Sequence, residues 1–134
     1  MKIALCGSML FSKEMMEIKT KLESFKHVVV LPKDIEKYIS GEKETEGRWE
    51  KQAGDLFRNY WNEINKSDAV LIVNISKNNI ENYIGGSTLI EMGFAHILNK
   101  KIYLLNSVPE MNYKAEIEAM NPIILNGDLS IIHE

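Results

Sequence analysis

The sequence predicts a doubly wound α/β domain built on a five-stranded parallel sheet, and three observations carry that prediction. Five apolar runs of four or five residues are continuous rather than alternating, which is the pattern of strands covered on both faces. Longer segments with helical spacing lie between them, and strands separated by helices pair in parallel through right-handed crossovers. The chain has 134 residues, 45% of them hydrophobic. That size fits a single domain over residues 1–134, able to bury roughly two-thirds of the surface its unfolded form exposes.

The elements follow in order. Lys2–Cys6 is the first strand: its apolar run is too short for a signal peptide and stops at Gly7. Ser12 is placed to cap a helix over Lys13–Phe25, with Met15, Ile18, Leu22 and Phe25 on one stripe. His27–Leu31 is the second strand. Pro32–Gly47 is charged and poorly periodic; it reads as a solvated connection with one short helical turn, in preference to a mobile flap. Trp49–Ile64 forms a helix whose aromatic residues Trp49, Phe57, Tyr60 and Trp61 suit a core or a subunit interface. Asp68 makes a turn into the third strand, Ala69–Val73. A helix over Thr88–Leu98 precedes the fourth strand, Lys101–Leu105. Pro122–Leu125 is the fifth, followed by a turn at Asn126-Gly127-Asp128 and a short tail available to a neighbouring copy.

Composition narrows the function. The charges, 16 basic against 19 acidic, sum to −3, with no Lys/Arg cluster to attract nucleic acid or a membrane surface, so neither is expected as a partner. No stretch approaches the roughly 20 apolar residues of a membrane span. Cys6 is the only cysteine and the three histidines, His27, His96 and His133, are scattered, which excludes a disulfide framework and a zinc finger. No metal is expected, and a lone reduced thiol fits the cytoplasm.

In such sheets ligands collect beyond the carboxyl ends of the strands, where strand order reverses. Three loops leave those ends: Gly7–Ser12, Asn74–Ser87 and Asn106–Asn112. The most informative string is Asn82–Ala95, NYIGGSTLIEMGFA. Gly85 and Gly86 let a backbone approach a ligand, and the helix that follows offers free N–H groups to an anion. Glu91, expected in the first turn, faces the cleft in one reading, where a carboxylate can attack an electrophilic sugar carbon. In the other, Thr88-x-x-Glu91 is a capping box and the carboxylate serves only the helix. Spacing alone favours the box. Gly7 and Ser8 free the backbone and supply a hydroxyl after the first strand, and Asn74 puts an amide at the end of the third. The first loop lacks GxGxxG, a P-loop and a Ser/Thr-rich flavin cradle, so no cofactor is expected. His96 is assigned no role.

Taken together, Gly7-Ser8 after the first strand, SDAVLIV at Ser67–Val73 and the Gly-rich turn leading to Glu91-x-Gly93-x-Ala95 resemble the nucleoside 2-deoxyribosyltransferase-like family, which includes the deoxynucleoside 5′-monophosphate N-glycosidases. The resemblance runs in order from Met1 to about Leu105. It implies a flavodoxin-like three-layer sandwich, a homodimer or higher assembly, and cleavage or transfer at the N-glycosidic bond of a nucleoside or nucleotide. It makes Glu91 the nucleophile, with Gly7, Ser8, Met9, Asn74, Gly85, Gly86 and Ser87 around the sugar or its 5′-phosphate. The chain also departs from the family pattern. Tyr60 stands where the family has a catalytic Asp, with Asp55 and Glu63 on the same helix but at other positions. Met9, Leu10 and Phe11 stand where the nucleotide hydrolases carry an Arg, and the longer Asn74–Gly86 loop brings Lys77, Asn78 and Asn79. The Tyr60 replacement also admits an alternative, a catalytically silent module that binds nucleotides without cleaving them.

Overall fold

A computed structural model describes residues 1–42 and 55–133. Its five strands are β1 (Lys2–Cys6), β2 (Val28–Val30), β3 (Ala69–Ile72), β4 (Lys101–Leu104) and β5 (Ile123–Ile124), all parallel in the order β2-β1-β3-β4-β5. The helices are α1 (Ser12–Ser24), α2 (Ile35–Ile39), α3 (Leu56–Asn65), α4 (Gly86–Ile97) and α5 (Lys114–Ala119), with 3₁₀ turns at Met9–Phe11 and Leu129–Ile131. This is the predicted doubly wound α/β architecture. Of the Trp49–Ile64 helix, residues 49–54 lie outside the described residues, as do residues 43–47 of the Pro32–Gly47 connection, whose described part contains the expected short helix, α2.

Side chains alternate across the sheet, and each set finds its own helices. Ile3 and Leu5 of β1 join Leu71 and Tyr103 under Met15, Ile18 and Leu22 of α1. Ala4 and Cys6 point the other way, with Val70, Ile72 and Leu104, toward Tyr60 and Ile64 of α3 and Met92 and Ala95 of α4. Three layers result. Only the central strands are buried on both faces: Val28 in β2 is 61% exposed, and Ile123 and Ile124 of β5 are exposed as well. An edge strand has a neighbour on one side only, so the expectation of five buried strands holds for β1, β3 and β4.

One further expectation is corrected. Ser12 does not cap a helix from outside; it is the first residue of α1, and its hydroxyl donates back to the Met9 carbonyl, closing the preceding 3₁₀ turn. The tail after Asn126-Gly127-Asp128 packs on its own core, where Ile132 is buried.

Strand order reverses between β1 and β3, which run in register from Ile3 opposite Ala69 to Cys6 opposite Ile72. The ladder continues one step further, with Val73 N donating to Cys6 O at 2.8 Å. Gly7 follows at once, and it is small of necessity: a Cβ there would lie 3.0 Å from the Val73 carbonyl oxygen and 2.9 Å from Met15 Cε. Asp68 works at the opposite end, accepting from Lys2 N at 2.7 Å.

Candidate functional site

A cavity of about 530 Å³ opens at the carboxyl end of β1, beside this switch point. Gly7 and Met9 form its floor, Ser87 and Glu91 come from α4, and Tyr60 and Glu63 come from α3. Leu31 and Pro32, following β2, and Phe57 give it an apolar side. Such a mixture of apolar wall and a few polar groups is what a small-molecule site requires.

Helix α4 begins earlier than its sequence suggests. Gly85 is the cap residue and makes no side-chain cap bond, so Ser87 and Thr88 lie inside the first turn and Thr88 is buried. Glu91 is therefore the sixth residue of the helix, in its second turn, and no acidic residue occupies the first. The capping box is not formed. Instead, the half-buried Glu91 side chain lines the cavity and meets the thiol of Cys6 below it.

Cys6 and Tyr60 report the same setting. Burial pushes the Cys6 thiol well above its usual 9.0, and the negative charge of Glu91 and a hydrogen bond with it push further. Burial likewise raises the Tyr60 phenol well above 10.0, with contributions from Cys6, Glu91 and Glu63. Tyr60 donates its hydroxyl proton to the Leu5 carbonyl, pinning α3 to β1. Where the resemblance implies a catalytic Asp, then, stands a neutral group committed to the backbone.

The other expected site residues divide. Gly7, Met9, Ser87 and Glu91 share the cavity wall, whereas Ser8, Asn74, Gly85 and Gly86 are not part of it. Asn74 is fully buried and spends its amide on the neighbouring loop: Nδ2 donates to the carbonyls of Asn106 at 2.9 Å and Ser107 at 3.1 Å, and Oδ1 accepts from Asn106 N at 2.9 Å. It ties the exits of β3 and β4 together. Ser8 starts the 3₁₀ turn, accepting from Leu10 N at 3.3 Å, and also receives Lys77 Nζ at 3.1 Å. Gly85 lies against the Tyr83 ring, where a Cβ would approach to 3.2 Å. The wall residues of α3, Phe57 and Glu63 in particular, escaped assignment as ligand-facing groups because their helical stripe is equally that of a core helix; no motif distinguishes them.

Among the described residues no group of three potential ligands could hold a metal ion, and no helix is long and apolar enough to cross a membrane. No family profile and no curated protein sequence matches the chain. Solved structures do. One is a 2-deoxyribosyltransferase from the psychrotolerant bacterium Bacillus psychrosaccharolyticus, 23% identical, with a TM-score of 0.53 over 78% of this chain and 71% of that one. Another is the Clostridium botulinum CMP N-glycosidase BcmB, 17% identical, with a TM-score of 0.55 over 94% of this chain and 90% of that one. These likenesses establish the shared flavodoxin-like sandwich.

Proposed function

We propose that this protein cleaves the N-glycosidic bond of a nucleoside or nucleoside monophosphate, by hydrolysis or transfer, with Glu91 as nucleophile, and that it belongs with the nucleoside 2-deoxyribosyltransferase-like enzymes. The observation that carries the proposal is the position of Glu91: the sixth residue of α4, past its cap and first turn, on the wall of the cavity at the switch point. Two neighbours of the same fold, named for deoxyribosyl transfer and for CMP N-glycoside cleavage, support it.

In the first step a Glu91 carboxylate oxygen bonds to C1′ while the bond from C1′ to the base nitrogen breaks, its electron pair leaving with the base. The base takes up a proton. Glu63, the other described carboxylate on the cavity wall, is the group we assign to supply it. Water or a second base then attacks C1′, breaks the glycosyl ester and frees Glu91. The apolar side built from Leu31, Pro32 and Phe57 is suited to the flat face of a base. A small domain gains enclosure from a second copy, and Trp61, Ile90 and Ile97 leave apolar surface exposed on α3 and α4 for a homodimer contact. A cytoplasmic setting accords with the free, buried Cys6.

The test is chromatographic detection of free base from a panel of nucleosides and monophosphates. Wild type is expected to release base, and Glu91→Ala to lower kcat/KM about a thousandfold or more with an intact fold. Unchanged turnover in that variant removes the proposal. Tyr60 at the family Asp position favours one second reading, a silent nucleotide-binding module, which requires that wild type release no base from any member of the panel.

A further inference from the structure

We infer that Lys33 reads the base, selecting nucleosides whose base carries a carbonyl oxygen over those with an amino group at the same place. The inference deepens the proposed function and rests on it for the identity of the ligand. It starts from the direction of displacement. Glu91 and the departing base must stand on opposite faces of C1′, because the new bond forms as the old one breaks behind it. Strand order then says where the base lies. In the sequence β2-β1-β3 the middle place belongs to β1, whose exit supplies Gly7 and Met9 as the cavity floor. On one side of that floor α4, which carries Ser87 and Glu91, packs against β3 and β4. On the other side are Leu31, Pro32 and Lys33, leaving β2. A sugar held over Gly7 with C1′ toward Glu91 therefore directs its base to the β2 side, against these three residues.

Two lysines line the cavity, and their places in the fold differ. Lys66 follows α3 at its carboxyl end, two residues before Asp68, whose carboxylate accepts from Lys2 N at the start of β1. That is the end of the sheet away from Gly7. Lys33 leaves the carboxyl end of β2, the end shared with Gly7 and Met9, and is next in sequence to the apolar wall of Leu31 and Pro32. Its side chain is exposed and, among the described residues, forms no hydrogen bond or ion pair. An ammonium has three protons to give and no lone pair to accept with, so it complements a carbonyl oxygen and meets an amino group donor to donor. Asn59 and Asn62, also on the cavity wall, carry amides that both donate and accept, and leave the choice open. Glu63 is already assigned to the proton that the base takes up. The choice thus falls to Lys33. Hypoxanthine and uracil present an oxygen at the edge far from the sugar, where adenine and cytosine present an amino group.

Equilibrium titration of the full chain carrying Glu91→Gln, which needs no turnover, tests this with two matched pairs: deoxyinosine against deoxyadenosine, and deoxyuridine against deoxycytidine. The carbonyl member of each pair is expected to bind about fivefold or more tighter, the worth of one hydrogen bond from an exposed charged donor. Adding Lys33→Met should erase the preference, Lys33→Arg should keep it, and Lys33→Glu, whose carboxylate only accepts, should turn it toward the amino members. Lys66→Met should leave it unchanged. Equal affinities within both pairs overturn the inference, as does a preference that survives Lys33→Met or disappears with Lys66→Met, and as does a failure of all four nucleosides to bind. Inorganic phosphate covers the other use of an ammonium: if Lys33→Met loses phosphate binding while both pairs stay unmoved, Lys33 is an anion site and the inference falls. Failure of the proposed function looks different: no base release from the wild type, whatever these titrations give.

Discussion

Replacing Tyr60 with Phe separates two roles that the site leaves adjacent. The change deletes one oxygen from a side chain that is 7% exposed and removes the hydrogen bond it donates to Leu5 O; the second carbonyl near it, Val30 O at 3.5 Å, is at the limit of contact. The ring stays and no cavity larger than an oxygen atom opens, so the cost is that of one neutral buried hydrogen bond, about 1–2 kcal/mol. For a chain of 134 residues this corresponds to a fall in Tm of about 4–7 °C. Urea unfolding should show the same loss as a lower midpoint at unchanged slope.

Turnover should change little by comparison. Burial and the nearby Cys6, Glu91 and Glu63 hold the phenol protonated well above its usual range, and its proton is already given to a backbone carbonyl. A group in that state is a poor acid for a departing base, so kcat/KM for base release should fall less than about tenfold, short of the hundredfold or more that a general acid contributes. The reasoning is refuted by the converse pattern, in which Tyr60→Phe keeps its thermal stability and loses two or more orders of magnitude in kcat/KM. Tyr60 would then be the proton donor in place of the family Asp.

The remaining predictions concern the surroundings of the site. Cys6 and Tyr60 keep their protons in the folded state where the unfolded chain gives them up, near 9.0 and 10.0, so their contribution is complete below about pH 8 and is lost as pH rises through 9 and 10 toward the raised folded values. Urea midpoints should decline across that range, and Cys6→Ala should move the onset of decline upward, toward that of Tyr60. Asn74→Ala removes a buried side chain bonded to both Asn106 and Ser107, and should cost about 2–3 kcal/mol by urea unfolding, with faster hydrogen exchange at the Asn106 amide. Ile97, 79% exposed on α4, should matter to assembly: sedimentation at micromolar concentration should give a dimer for wild type and a lighter species for Ile97→Asp.

The sheet was legible because its signal is redundant. Each central strand is a run such as AVLI with nothing polar to misplace, and the strand and helix segments alternate in a way that only parallel pairing accommodates. Strand edges were less so. Val28–Val30 reads like Ala69–Ile72 by composition, yet Val28 faces solvent because, among the described residues, no strand pairs beyond β2. Neighbours in space decide that, and they are not written in the local residues.

Glu91 shows the limit most plainly. Thr88-x-x-Glu91 satisfies the spacing of a capping box, and a box confines the carboxylate to its own helix; the same four residues three positions deeper release it toward the cleft. Which holds depends on where α4 starts, and Gly85 decides that: it takes an extended backbone against the Tyr83 ring and hands the first helical position to Gly86. The Tyr83 ring is in turn packed under Lys77, which the Asn78-Asn79 turn delivers to Ser8. The loop after β3 therefore does two things at once, setting the register of the helix that bears Glu91 and carrying a cation to the loop after β1. A substitution that unwinds the turn, such as Asn79→Val with its β-branched side chain at φ 60°, should for that reason lower kcat for base release, whereas Lys77→Met, which leaves the turn intact, should change it less. Measuring kcat on both variants distinguishes the two, and equal values would mean that the turn and the helix start are not coupled.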